Sequence, residues 1–143
     1  MDQPSRPSDF PRAVRVLHGA LLAGVVLIGA VFLFLVRVQG LALGASPSLG
    51  IVLAAVAAGL IAVAALVLRP RIPERNPQDS PEAYWTAVTS RGAAIILWAA
   101  TEGAVLLGWV GYLLTSQTLP AAVAVFATVV LAWYRPSGLA GAA

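Results

Sequence analysis

The sequence predicts an all-α integral membrane four-helix bundle, and three observations carry that expectation. Hydrophobic residues make up 59% and charged residues 10% of the 143 positions, where a soluble domain is about a quarter charged. Uncharged runs cover residues 16–36, 49–68, 92–114 (apart from Glu102) and 119–134, which are 21, 20, 23 and 16 residues long. A spanning helix needs about 20 apolar residues. The nine basic residues are all arginines, and they flank these runs.

Residues 1–12 hold three prolines among mixed charges and predict an irregular leader. A first helix is expected over 13–38 and a second over 48–68, joined by a short uncharged turn. Ala42 and Gly44 resemble a small-residue cleavage site, but the preceding run is longer than an ordinary signal segment and is expected to be retained. Residues 69–90 open with Pro70, Pro73 and Pro77, which favour an extended path. Ser80, Pro81 and Glu82 then give an N-cap, a first-turn proline and an early carboxylate. A helix from Pro81 is expected to run straight into the third span, 91–115, with Tyr84 and Trp85 at the membrane interface. A tight turn leads to the fourth helix, 118–134, and a tail, 136–143. The fourth run is short and spans only with its polar flanks in the headgroup layer.

The arginines also predict topology. Arg6, Arg12, Arg15, Arg69, Arg71, Arg75, Arg91 and Arg135 fall on one side and only Arg37 on the other. The positive-inside rule then places both termini and the 69–90 loop in the cytoplasm, in a bacterial inner membrane. The basic pI therefore reports orientation, and no nucleic-acid partner is expected. Internal similarity points to two tandem hairpins, 13–68 and 91–135. At an offset of 79, eight of 24 positions agree, among them Gly24 with Gly103 and Gly29 with Gly108. At an offset of 66, Ala55, Ala58 and Arg69-Pro70 match Ala121, Ala124 and Arg135-Pro136. This pattern reads as a parallel repeat.

Glu102 is the one carboxylate inside any apolar run. Eleven residues past Arg91, it sits roughly 16 Å into the layer, where a charge is costly unless a partner or water reaches it. At 100° per residue, Ala100, Ala104, Gly108, Gly111 and Thr115 form a small-residue stripe suited to close helix packing. Glu102 lies nearly opposite, framed by Trp98 and Trp109. A small-residue stripe turned to the chain's own helices would leave Glu102 facing lipid or a partner protein, whereas an inward bulky face would bury it. Thr128 and Gly59 lie at similar depth, Thr128 as a hydrogen-bond partner for the acid and Gly59 as a packing position. His18 is only about 5 Å inside its helix and is expected at the headgroups.

From Glu102 to Leu114, Gly108 follows the acid by six residues, Val110 comes next but one, and Leu113-Leu114 close the segment. Together with an Ala-rich second helix and a loop containing Arg75-Asn76-Pro77, this resembles the rotor-ring proteolipids of rotary ATP synthases over residues of about 54–114. The resemblance implies an acid that binds and releases a transported ion on the outside of a ring, with small residues at the packed face. It also accommodates a repeat in which Ala23 replaces Glu102, as in vacuolar-type proteolipids. The chain departs from that pattern in having only Gly50 and Gly59 in its second helix, and in placing Pro77 25 residues before the acid.

With no cysteine, one histidine and no paired carboxylates in a span, neither catalysis, a metal site nor a cofactor is expected. The expected role is a small non-catalytic subunit of a larger bacterial membrane complex, or a homo-oligomer, associating through small-residue faces within the lipid bilayer. No soluble substrate is evident. The alternative is a proton or ion carrier using Glu102.

Overall fold

The computed structural model describes residues 10–41 and 43–140. Residues 1–9 of the leader, Ala42 of the cleavage-like pattern and residues 141–143 of the tail lie outside it. The elements are α1 (Phe10–Arg37), α2 (Pro47–Val63), α3 (Pro81–Thr86), α4 (Val88–Thr115), α5 (Thr118–Trp133) and α6 (Pro136–Leu139). A π-helical stretch, Ala64–Leu68, and a 3₁₀ turn, Arg69–Arg71, prolong α2 until Ile72 turns extended.

Three segments, Arg12–Arg37, Pro47–Arg71 and Val88–Thr115, are long and apolar enough to cross a membrane. The fourth, Thr118–Trp133, has 16 residues and extends about 24 Å, short of a hydrocarbon layer of about 30 Å. Val26, Leu27, Phe34, Ile51, Val56, Leu66, Phe126 and Val129 are exposed around the bundle. An apolar surface on every side suits lipid, and these features fit a membrane protein.

α4 is the axis of the bundle, with Ala94, Leu97, Trp98, Thr101, Ala104, Val105, Gly108 and Tyr112 buried along it. α5 packs antiparallel along α4. The two backbones approach so closely that a methyl group on Gly108 would sit 2.8 Å from the Ala124 Cβ. α2 lies antiparallel on the next side, facing inward with Gly50, Ala54, Ala57 and Ile61. A methyl group on Gly111 would meet Pro120 of α5 at 3.0 Å and Leu53 of α2 at 3.3 Å, so this glycine lets both neighbours close in. α1 runs parallel to α4 on a third side, with the His18 ring 5.1 Å from that of Trp98 and Gly29 against the Trp109 indole.

α1 and α2 follow each other in sequence but share no extended contact, because α4 stands between them. The connection between them passes over the end of α4, where the Ala45 N–H bonds the Leu114 carbonyl at 3.0 Å. Gly40 and Gly44, both at φ +65°, provide the left-handed turns it needs. The second pair, α4 and α5, does pack as a hairpin, so the sequence match between the two halves is not accompanied by matching helix pairing. Between α4 and α5 the turn is held by Ser116 at φ 56°, whose N–H bonds the Tyr112 carbonyl at 2.7 Å.

At the opposite end, the helix starting at Pro81 does not continue into the third span. Ala87 is extended (φ −64°, ψ 124°) and separates α3 from α4. The break lets α3 fold back, and Tyr84 and Trp85 are buried within the protein. Ser80 caps α3 by accepting the Ala83 N–H at 3.1 Å. α6 folds back likewise, burying Pro136 and Leu139.

Candidate functional site

Glu102 lies 14 residues from the start of α4 and 13 from its end, about 20 Å from either. It is half-buried. The small-residue stripe on the opposite side of α4 faces the chain's own helices: Ala104, Gly108 and Gly111 are buried and Ala100 is half-buried. Gly59 does not share that role. The inward series of α2 at residues 50, 54, 57 and 61 leaves it on the outer face, exposed, with nothing within 4 Å of where its Cβ would stand.

The aromatic frame is covered by the protein itself. Trp98 is fully buried and Trp109 is 5% exposed, because α1 lies over both. A Cβ on Gly29 would come within 2.6 Å of the Trp109 ring. Small and bulky faces of α4 are therefore both covered, and Glu102 sits at the rim where the α1 side meets an open strip. That strip consists of Ile95, Ile96, Ala99 and Val110, exposed, with Gly103 and Leu106 half-buried.

Thr128 is not the partner of the acid. Its hydroxyl donates to the Ala124 carbonyl of its own helix at 2.9 Å, and its side chain lines a groove between α1 and α5 with Val25, Gly29 and Trp109. Among the described residues the Glu102 carboxylate has no hydrogen bond or ion pair. Nor do three His, Cys, Asp or Glu side chains gather anywhere among them to hold a metal ion.

A second polar constellation forms at the end carrying the termini. His18 is 6% exposed, enclosed by the protein itself, and its Nε2 lies 3.0 Å from the Leu131 carbonyl. A carbonyl only accepts, so Nε2 carries the proton. Trp98 Nε1 donates to the Tyr134 carbonyl at 2.7 Å. The last carbonyls of a helix have no partner within it, and two side chains from other helices satisfy them here. Trp85 packs 6.3 Å from Trp98 and Tyr84 edge-on 4.9 Å from Trp85, continuing the cluster outward. At the other end, Arg37 Nε donates to the Tyr112 hydroxyl at 2.9 Å, tying α1 to α4. His18 was detectable as a buried residue: it shares one face of α1 with Val14, Val25 and Gly29, at spacings of 4, 7 and 4.

Tyr84 donates to the Pro73 carbonyl at 2.8 Å. Burial pushes its phenol above the usual 10.0, outweighing the Ser90 hydrogen bond and the Arg69 charge, which act the other way. The folded state thus holds this proton more tightly, and the stability it lends is complete below the usual tyrosine range and lost as the pH climbs through it. Thermal unfolding followed between about pH 8 and pH 11 should show this alkaline loss reduced in Tyr84→Phe. At neutral pH the substitution should cost about 0.5–1.5 kcal/mol for the hydrogen bond.

The Arg75-Asn76-Pro77 element forms a local turn, in which the Asn76 side chain accepts the Gln78 N–H at 3.1 Å. No family model, no curated protein and no solved structure matches the chain.

Proposed function

We propose that the protein is a small non-catalytic membrane subunit that assembles with other membrane proteins. One observation carries this reading: a strip of α4 is left uncovered by the chain's own helices, with the unpartnered carboxylate of Glu102 at its rim. An acid at mid-depth facing lipid alone is unfavourable by about 2.5–3.5 kcal/mol on insertion scales, which a covering partner relieves. The arginine asymmetry supports an orientation with both termini cytoplasmic in a bacterial inner membrane, and the residue matches support descent of the two halves from one hairpin. A second reading, proton or ion carriage by Glu102, rests on the same half-exposed position at the helix rim, where an acid can meet an ion path.

Two measurements separate them. The wild-type protein extracted from its native membranes in mild detergent is expected to migrate in an assembly containing other membrane proteins. Proton flux into vesicles holding the protein alone should be equal for wild type and Glu102→Gln. A flux that Glu102→Gln abolishes would replace the subunit reading with the carrier. Migration as a monomer would remove the subunit reading altogether.

A further inference from the structure

We infer that the strip around Glu102 seats a transmembrane helix of a different protein, one that carries a lysine or arginine at mid-depth. This rests on the subunit reading above and specifies the chemistry of the partner. α1 and α2 flank α4 without packing on each other, so the strip of Ile95, Ala99, Glu102, Gly103, Leu106 and Val110 is a slot walled by a helix on either side. The nearest atom to a Cβ built on Gly103 is Leu60 Cδ1 at 3.9 Å, so a visiting backbone can approach closely beside the acid.

The other polar side chains at this depth are already engaged. Thr101 bonds the Leu97 carbonyl at 2.8 Å and Thr128 bonds the Ala124 carbonyl at 2.9 Å. Trp109 Nε1, two turns further along α4, is also without a partner but is buried under α1, so Glu102 is the unpartnered group that the open strip presents.

A second copy of this chain is a poor occupant. Among the described residues, what it offers the strip is apolar surface or another Glu102, and a second acid brings no positive charge to the pair. A neutral donor supplies a hydrogen bond alone, whereas a cation of equal depth supplies a hydrogen bond and a charge opposite to a carboxylate, and is itself relieved by the pairing. Lipid headgroups do not reach a site about 20 Å from either end of the helix.

The test uses the full-length protein in phosphatidylcholine vesicles with synthetic transmembrane peptides of about 24 leucines and alanines, long enough to span. One peptide carries lysine at its centre and the other leucine, and association is read by energy transfer between labels. The lysine peptide is expected to bind wild type at least tenfold more tightly than the leucine peptide, and Glu102→Gln should erase the difference. Ala99→Phe, at an exposed position in the slot, leaves the acid intact and should weaken both peptides; it keeps the inference testable where Glu102→Gln fails to fold. Equal binding of the two peptides by wild type overturns the proposal. So does a lysine preference that survives Glu102→Gln, or wild-type binding of both peptides unaffected by Ala99→Phe. Self-association that depends on Glu102 and ignores the lysine peptide assigns the slot to a second copy instead. The peptide preference is read independently of the native assembly, so the partner's chemistry and the subunit reading can fail separately.

Discussion

Trp98→Ala is expected to be among the most destabilising single substitutions in the protein. The indole is fully buried, packs 5.1 Å from the His18 ring and 6.3 Å from the Trp85 ring, and donates a 2.7 Å hydrogen bond to Tyr134. Truncating a buried tryptophan in a soluble core costs about 3–5 kcal/mol, part transfer and part cavity. With lipid as the surrounding solvent the transfer part shrinks, while the cavity remains and the Tyr134 carbonyl loses its donor. The lost donor alone is worth about 1–3 kcal/mol where the carbonyl stays dry. The expected total is therefore about 3 kcal/mol. Trp98→Phe separates the contributions, because it keeps an aromatic ring against His18 and removes only the N–H and the second ring. Unfolding in graded detergent mixtures should place Trp98→Phe well short of Trp98→Ala. Equal losses would mean that the hydrogen bond, not the packing, dominates this position.

Gly108→Ala is the second large effect. Its new methyl would stand 2.8 Å from the Ala124 Cβ, 2.8 Å from the Pro120 carbonyl oxygen and 2.9 Å from the Ala124 nitrogen. Two of those atoms are backbone, so no rotamer change relieves the clash and α5 itself must retreat from α4. Overpacking typically costs about 1–3 kcal/mol. Membrane helices associate through close packing without a hydrophobic drive between them, so separation along this pair forfeits much of what joins them. Gly59→Ala is the matched control. Its surroundings are open, and a helical Gly-to-Ala change there should be neutral or stabilising by about 0.5–1 kcal/mol. Comparable losses at both positions would show that helix propensity, not the α4 to α5 approach, governs the result.

The helical architecture was legible in the sequence because it depends on composition and length, and the lipid-length runs between arginines announce themselves. The small-residue stripe of α4 was legible for a related reason: helical phase alone puts Ala104, Gly108 and Gly111 on one face. Phase could not reveal that α4 is wrapped on three sides, since that depends on which helix docks where. Phase therefore leaves open whether the face of Trp98, Glu102 and Trp109 meets lipid, a partner or the bundle, while α1 in fact covers the two tryptophans. Gly59 shares the depth of Glu102, but depth carries no azimuth, and it faces outward. The same limit applies to Thr128, which lies level with Glu102 but turns toward α1. The burial of His18 does not follow from its distance from the helix start, which measures height in the bilayer and says nothing about what folds beneath it. There, α3 and α6 close over the end of the bundle.

The separation of α1 from α2 has a consequence for how the molecule is made. Synthesis delivers α1 and α2 first, yet neither finds its main neighbour in the other. His18 meets Trp98, and Gly29 meets Trp109, across the same interval of 80 residues. α1 thus docks on α4 in a single register, onto a seat that does not exist until the second half of the chain has been translated. Until then the first two helices are two separate spans in lipid, tethered by a loop whose anchor, the Leu114 carbonyl, has yet to arrive. The last third of the chain is what turns the first third into a folded protein.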